Sequence, residues 1–470
     1  MSKPSLSKFS LSKPRLLFLL LFVLLLAARL CHVGILWAEE TLPLAAAQQI
    51  RAGKVLYRDI WFDKPPLAPA LYTVLGGESG GLLRVAGALY SLLCCWIAWG
   101  FARDLWGGAE GLWAAGLLGF FLIFDFPASV IPLAADFLML APHVAAVWLA
   151  YRRRPLWSGA LAGVAFAINP KGVLVLAVCA WWSPSWSLLA GFAGVTGLVS
   201  AWMWGAGSLA AYWDEVWRWG RIYAGTTFVE APVKNGLLRT LNWAGFHAAI
   251  VIAAAVGTWR REFAERRRWM VWVLISLAGV AAGFRFFPRY YLQLLPVVVL
   301  LAARGFAELR GRQRAAMLLL LLIPLARFAP TYYRAASEGD WRDTAMDRDS
   351  RSAAAIVRAA AKPGDTLFVW GYRPEIYVYS HVPAATRFLD SQPLTGVPAD
   401  RHLTQSTPLE TEESRARRTE LAASRPTFVV DGLGEYNRRL ALNQFADLRA
   451  WMAGYYEVGR SAGSIIYRRD

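Results

Sequence analysis

Residues 37–66 read Trp37-Ala-Glu-Glu-Thr41, a short run of helical character, Gly53, and then Tyr57-Arg-Asp-Ile-Trp-Phe-Asp-Lys-Pro-Pro66. The stretch follows directly on the first long apolar segment, residues 16–36, so it lies where a membrane helix leaves the bilayer. Two adjacent carboxylates, Glu39 and Glu40, stand at that exit, and Asp63-Lys64 follows with two prolines. Acids and a lysine gathered at a bilayer surface mark chemistry or the binding of something charged. Thr41 is expected to cap a short helix, Pro43 to suit its first turn and Gly53 its end. Leu42, Ala45, Ala46, Gln49 and Ile50 give that helix one weakly apolar face, which predicts a helix lying in the interface. Pro65 and Pro66 force an extended backbone at Lys64 and end the loop rigidly.

Outward from this loop, the chain reads as a membrane scaffold. It has 470 residues, 56% of them hydrophobic and only 18% charged, with a mean hydropathy of +0.35. That is the profile of a polytopic membrane protein. The net charge of +17 would suggest nucleic acid in a soluble chain. Here the arginines cluster in short loops between apolar segments, as inside-facing loops do, and no nucleic-acid partner is expected. Cys31, Cys94, Cys95 and Cys179 all lie in apolar segments and read as small core residues. Lys3, Lys8, Lys13 and Arg15 precede an apolar run with no small-residue cleavage site, which predicts an uncleaved first span.

The apolar segments are 16–36, 82–101, 112–126, 131–150, 157–169, 171–182, 186–206, 242–259, 269–284, 289–303 and 315–331. The expected fold is a polytopic α-helical membrane domain of about eleven spans, residues 1–335, followed by a soluble α/β domain, 336–470. With the basic N-terminus inside, the arginine-rich loops at 152–154, 260–268 and 304–314 also fall inside. Glu39, Glu40, Asp63, Lys64, Asp136, Lys171 and the run Arg285-Phe-Phe-Pro-Arg289-Tyr290-Tyr291 then converge on the outer face. The loop 207–241, with Tyr212, Trp213, Trp217, Trp219 and Tyr223, reads first as an interfacial aromatic belt and second as a sugar platform.

After residue 340 the composition changes. A helix at Ala353–Ala361, a turn Lys362-Pro-Gly-Asp365, a strand Thr366–Trp370, a second strand Thr427–Val430, a helix Tyr436–Met452 and a final strand near Ile465 are expected. The polar stretch 400–420 reads as a loop. These elements predict an extracytoplasmic α/β domain large enough to hold its own core.

Moving a sugar from a lipid-linked phosphate to an acceptor hydroxyl needs a base for the acceptor oxygen and fixed cations for the departing phosphate. Glu39 or Glu40 suits the base. Lys64, with Arg285 or Arg289, suits the phosphate. Asp63, Asp136, Lys171 and Tyr290 are the further candidates for substrate binding. His32, His143, His247, His381 and His402 are scattered without ligand spacing, so neither a metal site nor a cofactor is identified.

The order of these residues carries a resemblance. An acid pair at the exit of the first span, then Gly53-Lys-x-x-Tyr57-Arg-Asp59, then Asp63-Lys-Pro-Pro66, resembles the glycosyltransferases of the protein O-mannosyltransferase and lipid A aminoarabinose transferase superfamily. Arg289-Tyr-Tyr-Leu-Gln-Leu-Leu-Pro296 and Phe368-Val-Trp-Gly371 with Tyr377 are further echoes. The resemblance implies the GT-C fold, a polyprenyl-phosphate sugar donor and a lipid, glycan or protein acceptor. With the arginine-rich loops inside, the site and the C-terminal domain are expected on the extracytoplasmic side of what the compact form suggests is a bacterial plasma membrane. By the same resemblance Glu39 matches the family's catalytic acid, Lys64 the lysine that contacts the donor phosphate, Asp63 the acid before it, and Asp136 the acid of the second outer loop. Two positions depart from the pattern. The first acid is Glu rather than Asp, and Leu42 stands where the aminoarabinose transferases carry arginine. The competing reading is a transporter or lipid flippase. Such proteins place charges near the bilayer midplane and show internal repeats, whereas here the charges lie at span ends and no repeat is visible.

Overall fold

The structure is a computed structural model and describes residues 13–225, 231–259, 263–338, 341–397 and 406–469. Its first two-thirds is a helical assembly. Helix α1 (Lys13–Leu30) leads into α2 (Ala38–Arg51), α3 (Leu67–Val74), α4 (Gly81–Trp106) and α5 (Gly108–Phe121). Among the described residues, four helices are long and apolar enough to cross a membrane: Gly81–Trp106, Trp186–Gly205, Glu265–Phe284 and Gly311–Ala336. A fifth crossing is counted if Pro232–Phe246 and Ala248–Trp259, bent by 89° to one another, form one span. Ala135–Tyr151, Pro155–Ile168 and Gly172–Trp182 are apolar but shorter. Helix length therefore gives fewer crossings than the eleven expected. Two apolar segments are shortened at their starts: 131–150 is helical only from Ala135, after Pro132-Leu-Ala134, and 289–303 opens with a 3-10 turn, Pro288–Gln293, before Leu295–Glu308.

The helices meet through small residues, as membrane helices do when backbone approach replaces hydrophobic drive. A Cβ on Gly159 would lie 1.8 Å from the Leu188 carbonyl oxygen, and one on Gly191 would lie 2.0 Å from that of Leu156. Neither position admits a side chain without moving a helix.

Three local expectations are corrected. Helix α2 starts at Ala38, ahead of Thr41, because the Glu40 carboxylate accepts the Trp37 backbone N–H at 3.0 Å and acids in the first turn complement the helix dipole. Pro43 thus falls inside the helix. Nor does α2 lie open in the interface, since residues 40–47 are buried beneath α3 and the helix Glu375–Ser380 of the C-terminal domain. The stretch 207–241 is helical through most of its described length: Leu209–Tyr212, a π-helical turn Trp213–Arg218, Trp219–Gly225 and the start of Pro232–Phe246.

The C-terminal region carries a four-stranded sheet ordered β1-β2-β4-β3, with β1 (Leu367–Trp370), β2 (Phe428–Asp431), β3 (Tyr455–Arg460) and β4 (Ile465–Arg469). β1 and β2 pair in parallel and are wholly buried, which fits their unbroken apolar runs. β2–β4 and β4–β3 are antiparallel. The helix expected over 436–452 is cut into short turns, and only Ala446–Trp451 is α-helical, because Asp431 draws the Leu433, Gly434 and Leu442 amides onto its carboxylate. The strand Tyr455–Arg460 was not foreseen. Of the loop expected at 400–420, residues 400–405 lie outside the described residues, and Glu412–Ala423 is a helix capped by Thr411.

Candidate functional site

The two acids at the start of α2 part company. Successive helical residues point about 100° apart, so only one of them can face a given side. Glu40 turns inward: Arg84 on α4 donates to both its oxygens, at 2.6 and 2.9 Å. The same guanidinium donates to the His32 and Ile35 carbonyls. Glu40 is 0% exposed and Arg84 1%. This is a buried pair with its hydrogen bonds filled, and it ties the exit of α1 to α4.

Glu39 turns the other way and remains about one-fifth exposed. Its Oε1 lies 2.8 Å from an Arg289 nitrogen. Arg289 Nε in turn lies 3.6 Å from Asp136 Oδ2. The other oxygen of Asp136 takes the Asn169 amide at 3.1 Å and the Lys171 ammonium at 3.4 Å. Asn169 Oδ1 accepts the Lys171 backbone N–H, which fixes the hairpin between the helices Pro155–Ile168 and Gly172–Trp182. The Lys171 ammonium sits 3.2 Å from the centre of the Tyr290 ring, and the Arg289 guanidinium 5.3 Å from it. Five of the expected residues, Glu39, Asp136, Lys171, Arg289 and Tyr290, are therefore one connected cluster of alternating charge.

Asp63 and Lys64 approach it from the loop. Hydrogen bonds to its backbone hold that loop. Tyr57, at a positive φ of 65°, donates its hydroxyl to the Lys64 carbonyl at 2.7 Å. The Phe62 N–H donates to Glu215 Oε2 on the π-turn at 2.9 Å, and the Trp61 N–H donates to the Arg387 carbonyl at 2.8 Å. Arg387, from the C-terminal domain, also donates to the Tyr57 carbonyl and pairs with Glu215. Pro66 then begins α3 rather than merely ending the loop. The Lys64 ammonium forms no hydrogen bond or ion pair with any described residue, yet it feels Asp63, Glu39, Arg289 and Asp136. Burial works against its charge, but Asp63 and Glu39 more than offset this and hold the ammonium above the usual lysine range. Asp63 moves up as well, mainly through burial and only partly countered by Lys64. Its Oδ1 is buried without a hydrogen-bond partner.

Arg285 is placed differently. It is 2% exposed, and its guanidinium lies 3.9 Å from the Tyr223 ring centre, at the edge of the cluster. Tyr223 itself meets Tyr290. Two groups of the C-terminal domain were missed by sequence reasoning. Asp390 is fully buried, and burial pushes its carboxyl up to about 8, with Asp63 adding and Lys64 opposing. Tyr372 lies in the field of Asp390, Asp63, Tyr223 and Glu39. Among the described residues no three His, Cys, Asp or Glu side chains gather as ligands around a common point.

No protein-family model matches the chain, and no curated protein matches it. Solved structures do. The aminoarabinose transferase ArnT from Cupriavidus metallidurans bound to undecaprenyl phosphate superposes with a TM-score of 0.63 at 14% identity, covering 97% of each chain. The oligosaccharyltransferase of Archaeoglobus fulgidus, in complex with Zn and sulfate, gives 0.53 at 13% identity over 96% of this chain and 73% of its own. A mycobacterial arabinofuranosyltransferase, AftD, gives 0.54 at 15% identity over 98% of this chain and 42% of its own. The chain has the GT-C fold. The likeness spans nearly the whole chain. At these identities the likeness concerns the fold, and function rests on the site.

Proposed function

We propose that the protein is an integral membrane glycosyltransferase that moves a sugar from a polyprenyl-phosphate donor to an acceptor hydroxyl, with Glu39 as the base. The observation that carries this reading is the divergence of the acid pair: Glu40 is consumed by Arg84, whereas Glu39 stays accessible beside Arg289 and within the field of Lys64. ArnT, with the same fold, was solved with undecaprenyl phosphate.

In this reading the donor phosphate lies against Lys64 and Arg289. Lys64 is charged and has no ion-pair partner among the described residues, the state required of a phosphate-binding cation. Arg289 is held by Glu39 before the donor arrives. A phosphate competes for that guanidinium through bidentate hydrogen bonds, so donor binding releases Glu39 for its second task. The acceptor oxygen attacks the anomeric carbon from the face opposite the phosphate. Its proton passes to Glu39, and the C–O bond to phosphate breaks with both electrons leaving on the lipid phosphate. A single displacement inverts the anomeric centre. Asp63, Asp136, Lys171 and Tyr290 position the sugar and the phosphate. Arg285 supports this cluster from its edge through Tyr223.

We further assign residues 1–335 to the membrane domain and 336–470 to the C-terminal domain. The three shorter apolar helices, with Lys13–Leu30, Gly108–Phe121 and Leu295–Glu308, complete about eleven crossings, and the site faces the extracytoplasmic side of a bacterial plasma membrane. The test is donor binding. Purified protein in detergent is titrated with undecaprenyl phosphate, alongside Lys64→Ala and Arg289→Ala. Weakened binding in both variants supports the reading. Unchanged binding in both moves the phosphate elsewhere and returns the transporter reading.

A further inference from the structure

A cavity of about 310 Å³, lined by none of the cluster residues, lies where the helix Leu322–Ala336 meets the turn Arg342–Thr344. Arg327, Arg334 and Arg342 line it, with the rings of Phe328 and Trp341 and a single acid, Asp343. Among the described residues, no acidic side chain pairs with any of the three guanidinium groups. Arg327 and Arg334 are seven residues apart, two helical turns, and so share a face. Arg342 joins them from the connecting segment. Aromatic rings flank the site: Arg327 lies 5.4 Å from the Phe328 ring centre, and Trp341, next to Arg342 in sequence, packs edge-on to Trp37 at 5.6 Å.

The cavity has an apolar approach. Gly311–Ala336 is one of the four long apolar helices, and only 17% of its apolar window is buried. Leu319 and Ile323, two turns and one turn before Arg327 on the same stripe, are 64% and 42% exposed. A lone arginine at a bilayer surface simply snorkels. Three guanidinium groups from two segments, without an acidic partner among the described residues and lining one cavity a helical turn beyond an exposed apolar stripe, do more than snorkelling requires. They combine a seat for a phosphate with a track for acyl chains.

We infer that this cavity binds the headgroup phosphate of an anionic phospholipid, with the acyl chains lying along Leu319 and Ile323. This site is separate from the donor site and does not rest on the transferase reading. The occupant is a lipid phosphate rather than free phosphate because the apolar stripe leads directly to Arg327.

The test is native mass spectrometry of the full-length protein in detergent, titrated with phosphatidylglycerol, phosphatidylcholine or inorganic phosphate. The expected result is at least tenfold tighter uptake of phosphatidylglycerol than of phosphatidylcholine. The triple variant R327Q/R334Q/R342Q should lose that preference, while Lys64→Ala keeps it. If the triple variant does not fold, Arg334→Gln alone should weaken uptake several-fold. Equal uptake by wild type and the arginine variants overturns the inference. So does displacement of the lipid by millimolar inorganic phosphate, which would make free phosphate the ligand, and so does loss of the preference in Lys64→Ala, which would place the lipid at the donor site.

Discussion

Replacing Glu40 by Gln separates two roles that adjacent positions conceal. Gln keeps the volume and part of the hydrogen bonding, but it leaves the Arg84 charge, 1% exposed, without a counter-charge. Removing one partner of a buried pair costs about 3–5 kcal/mol. With an unfolding entropy of about 2 cal/mol/K per residue, summed over 470 residues, that lowers Tm by about 3–5 °C. Glu39→Gln loses only a partly exposed pair with Arg289, worth up to about 1 kcal/mol, and so shifts Tm by about 1 °C or less. Turnover behaves in the opposite way, since loss of a general base costs about 10²–10⁴-fold. Glu40→Gln keeps most of its activity at a temperature where it is folded. Scanning fluorimetry of both variants in the same detergent, beside a transfer assay, reads both quantities. A Glu40→Gln protein that melts like wild type but does not turn over, beside an active Glu39→Gln, would refute the assignment.

Lys64→Ala should weaken undecaprenyl phosphate binding about 10–100-fold, the worth of a charge-assisted hydrogen bond, with Tm unchanged; titration in detergent reads it. Glu215→Ala should free the Phe62 amide that Glu215 accepts, so hydrogen exchange at Phe62 accelerates and the apparent donor affinity falls, while exchange in β1 stays slow. Asp390 and Glu375 are raised by burial to about 8 and about 7, so the folded protein holds their protons where the unfolded chain has released them. Their contribution is therefore neutral below pH 4 and increasingly destabilising as pH rises from about 4 to about 8. Asp390→Asn should melt higher than wild type at pH 8 and show a flatter fall in Tm between pH 5 and pH 8; a parallel fall in both proteins would contradict this.

Much of the site was legible because its charges interrupt apolar sequence. Lys171 and Arg289 stand at the start of hydrophobic runs and Asp136 a few residues into one, and the expectation that they share one side of a membrane groups them before any coordinates are known. What could not be read was direction. Glu39 and Glu40 are neighbours in sequence, and only the helix start at Ala38 decides which carboxylate faces the cluster. Arg84 carried a usable signal, a lone arginine in the apolar segment 82–101 that must find a partner, but the partner lies 44 residues away. Glu215 and Arg387 are 172 residues apart, and nothing local links them. The helices of 209–246 were missed because tryptophan, tyrosine and charge mask the helical period that buries Tyr212, Val216 and Trp219. The strands β1 and β2 were visible as short apolar runs, whereas β3, with Glu457 and Gly459, is a half-exposed edge whose composition resembles a loop.

The central claim is sugar transfer from a lipid-linked phosphate with Glu39 as base. Its most direct test offers purified protein a panel of radiolabelled polyprenyl-phosphate sugars with a membrane extract as acceptor, and Glu39→Gln runs in parallel. The account predicts label transfer from one donor by wild type and a loss of at least about a hundredfold in the variant. Equal transfer by both proteins would contradict the base assignment, and neither binding nor transfer of any donor would contradict the transferase reading itself.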